Sequence, residues 1–365
     1  MDKDRNTDQA KKRQPKKLIL IILVLTLLTT IVAASVIKLN TSTNGAKQMS
    51  CTIPTINAGQ GRAAVYEWRD ISAHSDDKVS SSLGLAKAMG INTVLLNVDR
   101  FIEISEMADQ STRKTSSIEY VDRLSSYISQ ANSNGIRVTA LAGGPEWYKN
   151  DRFYLTEKVL DDVQLFNSAH TSKFEGIEFD VEPYTTSEYK DDKELVITRY
   201  IQYVDKVLKA SVNDEVQAIP IGFSIPFWLD ASDGEIKQIK FNDTTKLPVH
   251  HLIDLVKPLG GSITVMAYRN TLDGPDGIYE HAQSEIDYAQ KVSAYRSIVI
   301  AQETTDIQPD KVTYFGLGYD QAVTNINAIV SKFSGNKVFK GISINDLESL
   351  DKLYSNRICK DKSIF

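Results

Sequence analysis

Cysteine is scarce in this chain: Cys51 and Cys359 are the only two among 365 residues, and no histidine lies close to either. That excludes a cysteine–histidine metal cluster, since neither the spacing nor the donor set suits an ion. Histidine is scarce as well, and the five present, including the adjacent His250 and His251, show no ligand spacing and are expected on surfaces. An excess of one charge is also lacking. The net charge is −5 with acid and base mixed along the chain, so nothing outside the N-terminus resembles an electrostatic footprint for nucleic acid, and no nucleic-acid partner is expected. No glycine-rich dinucleotide or phosphate-loop fingerprint follows the first strand-like run. Low-complexity tracts and signs of a second folded domain are missing too.

Long hydrophobic runs are absent from all but one place. The stretch KKRQPKK, Lys11 to Lys17, is followed by LILIILVLTLLTTIVAASVI, Leu18 to Ile37, an uncharged run of the length that crosses a bilayer as a helix. Basic residues before it and few after it predict a cytoplasmic tail over residues 1–17, a transmembrane signal anchor over 18–37, and a single-pass protein with its C-terminal domain extracytoplasmic at the cell membrane. Ala33, Ala34 and Ser35 are small enough to form a cleavage site, so the alternative is a removed signal and a secreted product. Residues 38–60 are polar with little periodicity and read as an extracytoplasmic linker. Both cysteines then lie where oxidation is permitted and bracket the domain over 61–365. In a closed barrel the first and last elements are neighbours, so a Cys51–Cys359 disulfide is geometrically reasonable; two unpaired thiols are the other reading.

Past the linker, short apolar runs recur: AAVYEW from Ala63, INTVLLNV from Ile91, IRVTALAGG from Ile136, FEGIEFDVE from Phe174, AIPIGFSIPFW from Ala218, SITVMAYR from Ser262, SIVIAQET from Ser297 and FKGISIND from Phe339. Helical periodicity separates them, as in Ile118, Val121, Leu124, Ile128 and Ala131, in Ile197, Ile201, Val204 and Leu208, and in Val323, Ile326, Val330 and Phe333. Gly90 and Gly135 stand where helices end before strands. Roughly 310 residues of alternating strand and helix predict a (β/α)8 TIM barrel, with an open doubly wound sheet as the alternative.

The fourth run carries the chemistry. On an extended chain Glu178, Asp180 and Glu182 share one face while Phe179 and Val181 take the other. The apolar side suits the surrounding helices, which leaves the acids facing the barrel axis, with Glu182 nearest the C-terminal rim where this fold gathers its catalytic groups. Neighbouring carboxylates raise one another's pKa, so Glu182 is the expected proton donor near neutral pH. A solvent-exposed strand face is the competing explanation, and it fits poorly with a strand covered on both sides.

These residues resemble a known pattern. The family 18 glycoside hydrolases, chitinase-like (β/α)8 barrels, carry Asp-x-x-Asp-x-Asp-x-Glu on the fourth strand, and EGIEFDVE is similar, with Glu175 and Glu178 in the first two acidic positions and Asp180 and Glu182 in the last two. MAYR supplies Met266 and Tyr268 of the family's Met-x-Tyr-Asp, with Arg269 in place of the Asp. LAGG keeps Gly143 and Gly144 of Ser-x-Gly-Gly, with Leu141 for the Ser. The resemblance implies that Glu182 is general acid and then base. It implies that Asp180 orients a substrate 2-acetamido group, that Tyr268 hydrogen-bonds the acetamido oxygen, and that no metal or cofactor takes part. The implied activity is cleavage of a β-linked N-acetylated glycan by substrate-assisted retaining catalysis. A barrel that binds carbohydrate without turnover is the alternative, and a structural exoprotein is a third reading.

Further candidates for substrate contact are Glu178, Trp147 in GGPEWY, Trp228 in PFWLD, Glu303 in AQETT, and Arg269, whose planar fork suits an anionic sugar or an ion pair with one of the strand-four acids. Ion pairs with loop Lys or Arg are the competing reading for Glu303 and for Asp346 and Glu348, and Glu67 and Trp68 at the end of the first run are weaker candidates. The tryptophan that family 18 usually places on its last strand is missing from GISINDLESL.

Overall fold

The computed structural model describes residues 53–212, 219–230 and 236–357. In chain order its strands are β1 (Arg62–Glu67), β2 (Thr93–Asn97), β3 (Arg137–Ala142), β4 (Ile177–Phe179), β5 (Ile221–Pro226), β6 (Ile239–Phe241), β7 (Thr244–Lys246), β8 (Ser262–Met266), β9 (Ile298–Glu303) and β10 (Phe339–Asn345). β6 and β7 form a separate hairpin; the other eight, all parallel, close into a ring in which β10 returns to β1. Helices alternate with the strands. The fold is the expected (β/α)8 barrel, and each of the eight apolar runs supplies one of its strands.

Local signals explain the punctuation. Ser75, Asp109, Asp192 and Asp346 each accept a backbone N–H three residues on and start a helix, as N-caps do. Gly90 and Gly135 end helices with φ of +88° and +74°, a region that residues with a Cβ enter at a cost. The first of the three expected helix faces departs from expectation in part. Along Gln110–Ser133 the buried residues are Tyr120, Leu124, Tyr127, Ile128 and Ala131, while Ile118 is 54% exposed. At 3.6 residues per turn, Ile118 lies about 120° around the helix from Leu124, off the buried face.

The main core lies between the ring and its helices, where Val65, Leu96, Val138, Phe179, Phe223, Ile225, Val265, Ile300 and Ile344 all point outward. Phe179 sits between Phe223 and Trp147, at 5.9 and 6.5 Å between ring centroids. The barrel interior holds a small apolar cluster of Ala64, Tyr66, Leu95 and Leu141. The remaining interior positions include buried polar groups, among them Glu178, Ser224, Thr264 and Ser343.

Of the expected linker, residues 53–60 pack on the barrel. Ile56 is buried and its N–H reaches Met89 O at 2.9 Å, while Tyr319 donates to Pro54 O and Asn327 to Thr55 O. The tail, the anchor run 18–37 and both cysteines lie outside the described residues. Among the described residues no helix is long and apolar enough to cross a membrane. The two adjacent histidines are less exposed than expected: His251 is buried against Ile239 O at 2.8 Å, and His250 stacks on Tyr288.

The alternation of β4 has a direct test in chemical denaturation. Phe179→Ala is expected to lower stability by ~3–5 kcal/mol, the range for emptying a buried aromatic site. Glu175→Ala removes only a half-exposed partner of Arg137 and is expected to change stability by less than ~1 kcal/mol. The reverse order of effects would place the strand's apolar face in solvent.

Candidate active site

β4 is shorter than the run suggested, ending at Phe179, but the chain stays extended beside β3: Asp180 donates its N–H to Ala142 O at 2.9 Å. Gly143 makes that approach feasible. Its φ is +157°, and a Cβ there would overlap the Asp180 carbonyl. A turn at Pro183–Thr185 then stops the strand. Glu182 is left at the C-terminal mouth, partly exposed.

The acids of the fourth run separate into three environments. Glu175 is at the opposite end of the barrel, paired with Arg137 at 3.6 Å. Glu178 is enclosed in the interior, where it accepts from Thr264 Oγ1 at 2.6 Å and Ser224 Oγ at 3.4 Å and faces Arg62 Nη1 at 3.5 Å. It is therefore held by the protein and not open to a substrate, contrary to the expected contact role. Asp180 and Glu182 lie above it. Asp180 Oδ1 is buried without a hydrogen-bond partner, and burial, then the charges of Glu182 and Glu178, push its pKa up to about 8. Burial and its two acidic neighbours thus favour the protonated form of Asp180, which stands beside the expected proton donor Glu182.

Glu182 has a specific partner that the sequence reading missed: the Tyr184 hydroxyl donates to its Oε1 at 2.5 Å. Tyr184 in turn meets the Trp228 ring edge-on at 5.1 Å, and Tyr189 lies 6.1 Å from the same ring. Trp228 thereby joins the site through Tyr184. Tyr268 follows β8, and its pKa is raised by burial first and then by Tyr66, Glu303, Asp180 and Glu182. Its neighbours are therefore the residues of the candidate site, and a phenol held neutral among them can only be a hydrogen-bond donor or acceptor, not an anion.

A second cluster borders the first. Glu303 accepts from the N–H groups of Thr304 and Thr305 at 2.8 and 2.7 Å and from Asn345 Nδ2 at 2.7 Å; no lysine or arginine pairs with it among the described residues, which corrects that expectation. Asn345 Oδ1 accepts the Trp68 indole N–H at 2.8 Å. Trp68 stacks on Tyr66 at 5.6 Å with 17° between planes and is 36% exposed. A tryptophan just past the first strand, pinned by an asparagine of the last, thus offers an aromatic face at the mouth. Alternation from Tyr66 was the available signal.

Two predicted contacts are not brought to this place. Trp147 is buried in the outer core against Phe179, under the rim and closed to a sugar face. Arg269 is committed elsewhere: Nε donates to Asp276 at 2.6 Å, Nη1 to Tyr268 O at 2.7 Å, and the guanidinium lies over Phe227. Its ion pair is with a loop acid and not with the strand-four carboxylates. Asp276 also takes Lys311 and His281, which makes the cluster a loop clamp. Among the described residues no group of three or more acidic, histidine or cysteine side chains is arranged to hold a metal. Cavities of about 560 and 580 Å³ lie away from these residues, beside Tyr148 and Arg199 and beside Asn57 and Asn327; converging chemistry, not volume, locates the site.

Neither a protein-family model nor a curated protein matches the chain. Among solved structures, the PgaB (BpsB) glycoside hydrolase domain from Bordetella bronchiseptica aligns at 9% identity and a TM-score of 0.48, over 81% of this chain and 96% of that one. A GH18 chitinase from Pseudoalteromonas aurantia aligns at 12% identity and 0.47, over 80% and 99%. An endo-1,4-beta-D-mannanase from Thermotoga petrophila RKU-1 aligns at 11% and 0.46, over 80% and 88%. Likeness at this level says nothing about chemistry, which rests on the residues above.

Asp180 makes stability depend on pH in a defined direction. Its pKa in the fold, about 8, lies above the ~3.9 of an unfolded aspartate, so the native state binds the extra proton between those values. Stability is expected to be highest for this group at low pH and to fall as pH rises toward 8 and ionisation is forced. Asp180→Asn should flatten that fall and exceed the wild type at pH 9 by ~1–3 kcal/mol in urea unfolding. An unchanged slope in the variant would mean the carboxyl is already ionised.

Proposed function

We propose that this chain is a glycoside hydrolase, a divergent relative of family 18, that cleaves a β-linked N-acetylated glycan outside the cell while anchored by its 18–37 run. One observation carries the reading. Glu182 follows the C-terminal end of the fourth barrel strand, held by Tyr184 and near enough to Asp180 and Tyr268 for its charge to act on both.

The chemistry assigned to these groups is as follows. Glu182 gives its proton to the glycosidic oxygen while the acetamido oxygen of the sugar attacks the anomeric carbon, so the glycosidic bond breaks as the ring-closing bond forms. As the acetamido group arrives, the proton that Asp180 keeps in the empty site passes to Glu182 and is the one given to the glycosidic oxygen; Asp180, now ionised, and Tyr268 hold the acetamido group and its developing positive charge. Water then attacks the anomeric carbon as its bond to the acetamido oxygen breaks and the acetamide is restored, the water's proton passes to Glu182, and configuration is retained. Trp68 over Tyr66 supplies the apolar floor for a sugar ring that the last strand lacks. The Arg269 clamp on Asp276 argues against an anionic sugar being read by that residue.

The deciding measurement is release of reducing ends from N-acetylated glycans. Glu182→Gln should lower it by ~10²–10⁴-fold, the usual weight of a general acid, with sugar binding and circular dichroism unchanged. Glycan binding by the wild type without any release would instead identify a carbohydrate-binding barrel. Trp68→Ala should raise KM about two- to tenfold with little change in kcat, as loss of one stacking face would; an unaltered KM would remove Trp68 from the site.

A further inference from the structure

The N-terminal end of the barrel, opposite the acids, holds a cavity of about 190 Å³ lined by Arg62, Arg137, Arg296, Lys340, Glu175 and Glu178, room for several waters at ~30 Å³ each. Four cations face two carboxylates there, and both carboxylates are already engaged. Glu175 is on Arg137 at 3.6 Å, while Glu178 takes Thr264 and Ser224 as well as Arg62 Nη1.

Arg62 is the informative residue. Its side chain is only 7% exposed, and Nε and Nη2 are buried with no hydrogen-bond partner. Those two nitrogens form one edge of the guanidinium, the edge whose parallel N–H groups take two oxygens of one anion. A buried donor left unmatched is costly, more so when charged. Across the cavity Lys340 donates to Ser262 Oγ at 3.0 Å. Burial and then Arg62 hold its amine down at about 8, with Arg296 and Arg137 acting the same way against Glu178. An amine crowded by three arginines in a partly enclosed space marks a place where a negative charge is missing.

We propose that this cavity binds a small tetrahedral oxyanion of the phosphate or sulfate class, with Arg62 Nε and Nη2 and the Lys340 amine as its donors. This fold places its active sites, and commonly a phosphate site, at the other end of the barrel, so the site is separate from the proposed hydrolytic centre. Its occupant would join the first strand to the last from below.

Thermal unfolding of the full-length chain in neutral detergent tests this, with phosphate or sulfate exchanged for chloride at matched ionic strength. The midpoint should rise and saturate with either oxyanion. Lys340→Met should raise the half-saturating concentration about tenfold or more, the weight of a charge-assisted bond, and Arg62→Met should abolish the saturable rise. If Arg62→Met does not fold, because Glu178 loses its cation, Lys340→Met decides alone. With sulfate, whose charge is constant over the range, half-saturation should climb as pH passes above about 8 and Lys340 loses its proton. A rise that is linear and identical in Lys340→Met is the general salting effect of these ions and would overturn the site. So would no rise at all, and an equal rise with acetate would overturn the tetrahedral assignment.

Discussion

A carboxylate buried at the centre of a ring of strands holds much of this structure in place. Glu178 reaches Arg62 on β1, Ser224 on β5 and Thr264 on β8, so one side chain of β4 is bonded to three other strands across the interior. Such a group is tolerable only because its partners are present, since an ionised carboxylate without them would be expelled or neutralised. Gly222 is part of the same arrangement: a Cβ there would collide with the Glu178 carboxylate. The apolar stabilisation of the barrel comes from outside the ring, where the helices pack. The inside is given over to polar groups whose matching fixes which strand lies where.

From this centre the two ends of the barrel diverge in charge. Above Glu178 stand Asp180 and Glu182 with the phenols of Tyr66, Tyr184 and Tyr268; below it stand Arg62 and Lys340. Each end shows the strain expected of like charges held close in a poorly solvated space. The upper carboxyl is raised and the lower amine is lowered, and Glu178 contributes to the first and opposes the second. Parallel strands produce this segregation, because every strand begins at one end and finishes at the other, and the residue types at the strand starts and finishes differ.

The mouth is assembled from separate parts of the chain that reinforce one another. Tyr184 links Glu182 to Trp228, and Asn345 links Glu303 to Trp68. Both links use a polar group to fix an aromatic one, which orients a flat apolar face without the entropy of a long flexible side chain. Arg269 is paired with the loop aspartate Asp276, so it does not place a free positive charge at the mouth.

What the sequence by itself determined is whatever depends on a local period. Eight apolar runs, the alternation of Glu178, Asp180 and Glu182 against Phe179 and Val181, and the glycines at Gly90 and Gly135 each follow from backbone geometry over a few residues, and the barrel with its inward acids is their sum. Partners drawn from distant strands and loops were decided only by the tertiary structure: Asp276 for Arg269, Asn345 for Glu303 and Trp68, Phe179 for Trp147, and the enclosure that puts the raised pKa on Asp180. Those outcomes depend on depth and on which residues from other elements arrive at hydrogen-bonding distance, and closing the ring sets both.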